Sequence, residues 1–401
     1  QTAYNNAVDR VKQIINQTSN PTMNPLEVEH AASNVKTSKD ALHGERELND
    51  NKNSKTFAVN HLDNLNQAQK EALTHEIEQA TIVSQVNNIY NKAKALNNDM
   101  KKLKEIVAQQ DNVRQSNNYI NEDSTPQNMY NDTINHAQSI IDQVANPTMS
   151  HDEIENAINN IKHAINALDG EHKLQQAKEN ANLLINSLND LNAPQRDAIN
   201  RLVNEAQTRE KVAEQLQSAQ ALNDAMKHLR NSIQNQSSVR QESKYINASD
   251  DKKEQYNQAV REVENIINEQ HPTLDKEIIK QLTDAVNQSN NDLNGVELLD
   301  ADKQNAHQSI PTLTHLNQAQ QNALNDKINN AVTRAEVAAI IGQAKLLDHA
   351  MENLEESIKD KEQVKQSSNY INEDPDVQVT YDNAVDHVTE ILNQTVNPTL
   401  S

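Results

Sequence analysis

The sequence predicts an all-α protein: tandem three-helix bundles joined by long shared helices into an elongated rod. Three observations carry this. Apolar residues recur at alternating steps of three and four, only four Gly and nine Pro interrupt 401 residues, and whole stretches of text return about every 126 residues. The first places an apolar stripe on one helix face. The second favours long helices, and the strand signature of alternating Val, Thr and aromatic residues is missing. The third marks a repeat architecture, in which neighbouring units bury each other's apolar faces.

The repeat register is explicit. Tyr4-Asn5-Asn6-Ala7-Val8 returns at Tyr130, Tyr256 and Tyr381, at spacings of 126, 126 and 125 residues. Pro21-Thr22-Met23 returns as Pro147-Thr148-Met149, Pro272-Thr273-Leu274 and Pro398-Thr399-Leu400. Tyr119-Ile120-Asn121 returns at Tyr245 and Tyr370, and Gly44, Gly170 and Gly295 share one position. The expected division is repeat one at 1–126, repeat two at 127–252, repeat three at 253–377, and the first helix of a truncated fourth at 378–401. The chain begins and ends inside a unit, so a longer protein is expected.

Repeat two illustrates the elements in order. Its first helix is expected from about Gln127 to Val144, on the stripe Tyr130, Ile134, Ala137, Ile141, Val144. The same stripe reads Tyr4, Val8, Val11, Ile15 and Tyr256, Val260, Val263, Ile267. Asn146-Pro147 breaks it. The second helix opens on a Ser150/Glu153 capping box, or in repeat one on Asn24 with Pro25 at the first helical position. It is expected to close at Gly170 in a left-handed cap. A third helix, about Glu171 to Leu188, completes the first bundle. The second half opens at Leu191-Asn192-Ala193-Pro194-Gln195 and runs as a helix to about Ala206. The last helix starts near Arg209. Its stripe is Val86, Ile89, Ala93, Leu96, Met100, Leu103 in repeat one and Val337, Ile340, Ala344, Leu347, Met351, Leu354 in repeat three. Repeat two has Gln215 where repeat one has Ile89. Neither Gly nor Pro occurs between Pro194 and Pro272. This helix is therefore expected to continue to about Ile246, roughly 38 residues and about 57 Å at the α-helical rise. A disordered linker over the polar stretch Asn231 to Gln241 is the alternative.

Composition bounds the function. With 35% hydrophobic residues, 2% aromatic residues, no Trp and a single Phe, Phe57, the chain can build only thin aliphatic cores. A net charge of −21 argues against nucleic-acid binding and against docking on an anionic membrane. No cysteine is present, so disulfides and thiolate metal sites are excluded. No apolar run is long enough for a membrane helix, and residues 1–30 lack a signal-peptide pattern.

The 14 histidines form no His-Glu-x-x-His motif, and His61, His315 and His349 read as structural or solvated residues at helix edges. Asn121-Glu122-Asp123 and Asn372-Glu373-Asp374 lack the calcium-loop spacing and its central Gly, and read as caps or solvated turns. No Gly-x-Ser-x-Gly elbow or Gly-rich phosphate loop occurs. A non-enzyme is expected, with no catalytic, cofactor or metal residue. Met100, Met226 and Met351 read as core. Tyr4, Tyr130, Tyr256 and Tyr381 are expected to pack one ring edge inside each bundle. Tyr119, Tyr245 and Tyr370 fall at repeat junctions, where they fix the angle between units or, alternatively, contact a ligand. They are the ligand-binding candidates of the sequence.

The stretch Leu188-Asn189-Asp190-Leu191-Asn192-Ala193-Pro194-Gln195-Arg196-Asp197-Ala198-Ile199, continuing through Ala221-Leu222-Asn223-Asp224-Ala225-Met226, resembles the albumin-binding GA module and the three-helix domain of staphylococcal protein A. The first half of each repeat resembles the FIVAR module. Their alternation, with the text Leu-Asn-x-Ala-Gln at Leu65 to Gln69 and Leu316 to Gln320, resembles the giant staphylococcal extracellular-matrix-binding surface proteins over essentially the whole chain. The resemblance implies a monomeric, cell-wall-associated adhesin of the bacterial surface with fibronectin as ligand. Antibody binding does not carry over. Ile199-Asn200 and Leu73-Thr74 stand where protein A has an aromatic-aliphatic pair, so the aromatic anchor is lost. The expected function is a stiff helical spacer making weak multivalent contacts with host extracellular matrix. The alternatives are a purely structural envelope protein without a host ligand, or an albumin-type serum-protein binder.

Overall fold

A computed structural model describes all 401 residues, which form helices and short connections without any strand. Repeat one holds α1 (Thr2–Ile15), α2 (Pro25–Asp40), α3 (Gly44–Asn60), α4 (Gln67–Gln79), α5 (Val83–Val107), α6 (Gln110–Arg114) and α7 (Asn117–Ile120). Repeat two holds α8 (Ser124–Ile141), α9 (His151–Asn166), α10 (Gly170–Asn186), α11 (Ala193–Glu205), α12 (Arg209–Gln234), α13 (Gln236–Val239) and α14 (Ser243–Ile246). In repeat three follow α15 (Asp250–Ile267), α16 (Lys276–Asn291), α17 (Gly295–Ser309), a 3-10 turn (Ile310–Thr312), α18 (Gln318–Asn330), α19 (Arg334–Ser357), α20 (Lys361–Gln366) and α21 (Ser368–Ile371), and α22 (Pro375–Leu392) opens the last unit. The chain forms two compact units, residues 1–179 with 207–211, and 180–206 with 212–401.

Within the first unit, α3, α4 and α5 pack as a three-helix bundle, and α8 and α9 pack on the far half of α5. The reason is the length of the α5 stripe. At 25 residues α5 outruns the 13-residue α4. Val86, Ala93 and Leu96 are buried first, and Met100, Leu103 and Val107 continue the same face beyond the bundle. One core therefore runs from Val59, Leu73 and Ile77 to Tyr130, Ile134, Ile154 and Ile161. Sharing a helix lets each thin bundle, marginal by itself, draw on its neighbour. In the second unit α17, α18 and α19 repeat the arrangement, α22 packs on α19, and α15 pairs with α16.

Four expectations are corrected. The third helix of a repeat does not complete the first bundle: α3 packs with α4 and α5, and α17 with α18 and α19. The first-half pair takes its third helix from the preceding bundle instead. The long helix does not reach Ile246; α12 stops at Gln234, with Asn235 at φ −98°, ψ 14°, and the chain goes on as two single turns of helix. The absence of Gly and Pro was not enough, because Asn231, Asn235, Ser237 and Ser238 can bond the local backbone and end a helix whose apolar stripe has run out. Val144 lies beyond α8 and is exposed, and Ile140 takes the core place. Gly170 is no left-handed cap, since no glycine has positive φ. That conformation falls to Asn20, Asn146 and Asn397, each directly before a proline, at φ 46°, 48° and 44°; asparagine tolerates it best among residues with a Cβ.

Candidate functional site

The repeated texts converge on two junctions per repeat. The first is built on the Leu-Asn-x-Ala-Gln motif. Asn66, Asn192 and Asn317 cap α4, α11 and α18, and Gln69, Gln195 and Gln320 close the capping box from the third helical position. Each Gln is fully buried. Its free amide donates to the carbonyl of a threonine in the Pro-Thr text of the next unit: Gln69 to Thr148 at 2.8 Å, Gln195 to Thr273 at 2.9 Å, Gln320 to Thr399 at 2.8 Å. The capping Asn reaches the end of the next unit's first helix, donating to the carbonyls of Ile140 at 3.3 Å, Ile266 at 3.0 Å and Ile391 at 3.2 Å. Two stretches of recurring text are thus partners of one another.

The second junction is the short helix carrying Tyr-Ile-Asn. Asn121 is buried. Its side chain accepts from the Arg209 amide at 2.8 Å and donates to the Gln207 carbonyl at 3.1 Å, so it replaces both backbone partners that the turn before α12 lacks. Asn247 does the same with Arg334 at 2.8 Å and Val332 at 3.0 Å. Beside it the backbone approaches Gly170 so closely that an added Cβ would lie 2.4 Å from the Asn118 carbonyl oxygen; at Gly295 the Lys244 oxygen would also lie 2.4 Å away. Gly44 has nothing within 4 Å.

The candidate tyrosines belong to this junction. Tyr119, Tyr245 and Tyr370 are half-buried and meet Tyr130, Tyr256 and Tyr381 edge-on, with ring centroids 5.9, 6.0 and 5.7 Å apart. Asn131 and Asn257 each donate to the hydroxyl of Tyr119 or Tyr245 at 2.9 Å, and the Tyr370 hydroxyl donates to Asp382 at 2.7 Å. Tyr130 and Tyr256 are buried, while Tyr4 and Tyr381 are half-buried. The next residue is the outward one: Ile120, Ile246 and Ile371 are 47%, 43% and 62% exposed at matching positions.

Charge distinguishes the two internal copies. Around Asn121, the buried Glu122 pairs with Lys173, and Asp123 pairs with Lys173 and, at 2.7 Å, with Arg209. Burial pushes the Glu122 carboxyl up, but bonds from Lys173 and from the Asp123 and Asp169 amides outweigh it, and the net shift is downward. The Arg209 guanidinium, then the Lys173 ammonium, lower Asp123 to about 2. Around Asn247 the corresponding place is neutral: the Ser249 amide donates to Asn294 at 3.1 Å.

The remaining candidates are local. His61 contacts the Phe57 carbonyl, His315 pairs with Glu355 and His349 with Glu352. Glu373 accepts from the Asp374 amide. No group of three or more His, Asp or Glu is arranged to hold a metal ion, and no helix is long and apolar enough to cross a membrane. The role of Gln69, Gln195 and Gln320 was missed by sequence reasoning. The Asn-x-x-Gln capping box was visible, but its spare amide has no local signature.

The comparisons with known proteins fit this geometry. The FIVAR domain matches residues 1–43, 99–169, 225–294 and 350–401, and the GA module matches 45–99, 171–225 and 296–350. The last three FIVAR matches begin in the far halves of α5, α12 and α19. The extracellular matrix-binding protein ebh of Staphylococcus aureus (strain NCTC 8325 / PS 47) is 41% identical over 399 residues, 99% of this chain and 4% of the relative. The extracellular matrix-binding protein EbhA of strain Mu50 is also 41% identical, over 99% of this chain and 6% of its own length. The chain therefore spans a small fraction of these relatives. The crystal structure of the EbhA 756–1003 domain from Staphylococcus aureus is similar in fold, with a TM-score of 0.57 and 24% identity over 61% of this chain and 98% of that one. With FIVAR matches alone covering more than half of its residues, the chain belongs to the FIVAR and GA module family of helical repeats, as found in staphylococcal extracellular matrix-binding proteins.

Proposed function

We propose that the chain is a non-enzymatic spacer and adhesive segment, held at a bacterial cell wall, that makes weak multivalent contacts with host extracellular matrix. One observation carries this reading. The Asn-x-x-Gln motifs and the two internal copies of Asn121 are consumed by junctions, and the large apolar residue exposed at a matching place in all three repeats is a single isoleucine beside a tethered tyrosine. One exposed apolar residue at a position shared by all three repeats is too little for a tight repeated site, whose energy comes from a buried cluster of anchors. Copies on a common scaffold raise avidity without new contacts. The relatives' names point to extracellular matrix, and fibronectin is the first ligand to test.

The experiment is a quantitative binding comparison of one α3–α9 segment and the full chain against fibronectin, albumin and immunoglobulin. The expected result is weak fibronectin binding by the single segment and at least tenfold tighter binding by the full chain. Changing Ile120, Ile246 and Ile371 together to Ser should remove it without altering the melting curve. No binding to fibronectin by either form would leave a purely structural spacer, and tight albumin binding by the single segment would favour the serum-protein reading.

A further inference from the structure

The four glycines of the chain follow His43, Asp169, Asn294 and Ile341, so Asn294-Gly295 is its single Asn-Gly pair. In such a pair no side chain shields the glycine nitrogen. That nitrogen can attack the side-chain carbonyl carbon of the asparagine before it and close a succinimide ring. Packing keeps this glycine in place. A Cβ on Gly295 would lie 2.4 Å from the Lys244 carbonyl oxygen and 2.6 Å from the Ala248 nitrogen. Gly295 is the first residue of α17, where a backbone amide needs no carbonyl partner within the helix. The closed junction around Asn247 is what restrains the pair. The Asn294 side-chain oxygen accepts from the Ser249 amide at 3.1 Å and from the Ser249 hydroxyl at 3.3 Å. The Asn294 backbone stands at φ −105°, ψ 19°. Ring closure needs Cβ and the next nitrogen eclipsed about the Cα–C bond, and at that ψ they are far from it. The attack therefore waits until α14 parts from α17.

We propose that Asn294 is a site of spontaneous covalent modification, deamidation through Gly295, reached when this junction opens. The Gly295 nitrogen gives its proton to solvent and bonds the Asn294 Cγ. The Cγ–Nδ2 bond breaks, and the nitrogen leaves as ammonia with a proton from solvent. Water then opens the succinimide. Hydrolysis at Cγ leaves an ordinary aspartate. Hydrolysis at the main-chain carbonyl leaves an isoaspartate, with one more methylene in the backbone. The junction separates the two products. An aspartate can accept the same two bonds from Ser249, and Asp169 already stands before Gly170 at the matching place of the other copy. An isoaspartate lengthens the backbone at a contact without room for a methyl group, so the junction cannot close as before. One opening is made lasting in this copy. In the other, the buried Glu122 accepts from the Asp169 amide and binds Lys173, and the residue before the glycine is already a carboxylate.

The test is a time course on the whole chain in mildly alkaline buffer made with heavy-oxygen water, read by peptide mapping and isoaspartyl labelling. Asn294 should take up the label before any other asparagine, and at least tenfold more slowly in the native chain than in the urea-unfolded chain. Asn247→Ala removes the bonds to the Arg334 amide and the Val332 carbonyl, and should speed the reaction at least threefold. Asn121→Ala, in the other copy, should leave it unchanged. Asn294→Asp should keep the native melting curve, whereas chain aged to isoaspartate should melt lower. Label appearing first at another asparagine, or at equal rates in native and unfolded chain, overturns the proposal. These two readings use the native sequence alone, so they decide the matter even if Asn247→Ala misfolds.

Discussion

At the residue scale, Gly170 and Gly44 share a repeat position and differ in surroundings. A Cβ at Gly170 would meet backbone oxygens at 2.4 and 2.8 Å, and backbone cannot move aside as a side-chain tip can. Gly170→Ala is therefore expected to cost about 1–3 kcal/mol, the usual scale of overpacking. Gly44→Ala should stay within about 0.5 kcal/mol. Thermal melting of the two variants checks the contrast. The charged junction adds a pH dependence. Asp123 titrates lower in the folded chain, at about 2, than its ordinary 3.8. The stability it contributes is thus present above 3.8 and is lost as pH falls toward 2. The Tm advantage of the native chain over Asp123→Asn should shrink through that window, and Glu122 acts in the same direction. His151 runs the other way. Its bond to Asp99 raises its pKa above 6.5, so its contribution is present below 6.5 and is lost as pH rises through the folded value.

At the element scale, the shared helix governs. Leu222 is buried in the α12 stripe, so Leu222→Asp should destabilise by more than about 3 kcal/mol, the scale of an unpaired buried charge. An unchanged melting curve would refute the core assignment. Gln195→Leu tests the junction. It keeps the volume but leaves the Thr273 carbonyl and the Asn192 amide without their partner, at a cost of about 1–3 kcal/mol. Since Gln195 bonds across to the next hairpin, hydrogen exchange should quicken in α15 and α16 as well as in α11. Loss of protection in α11 alone would mean that the junction does not couple the two.

At the scale of the whole molecule, the spacer proposal makes a demand on dimensions. A compact 401-residue globule would have a radius of gyration of roughly 21 Å. A spacer should exceed about 30 Å, half as large again as that compact value, and small-angle scattering on the full chain is the measurement. The length of about 57 Å expected for the long helix assumed an unbroken run of roughly 38 residues. With α12 at 26 residues, the helix itself spans about 39 Å.

What the sequence determined by itself was everything local or periodic. The 3-4 stripe placed Val86, Ala93, Met100 and Leu103 in the core, Asn24 and Ser150 capped the helices they precede, and the recurring text set the module alternation. These depend on neighbours within one or two helical turns, whose spacing is written in the chain. Tertiary structure alone decided which helices share a bundle, because the α5 stripe looks the same whichever partner covers it. It alone decided the role of Gly170, since a glycine that permits close approach and one that closes a helix are the same letter. It also decided the partner of Gln195, 78 residues away at Thr273. A buried amide is satisfied by whichever carbonyl the packing brings to it, and no local pattern names that carbonyl.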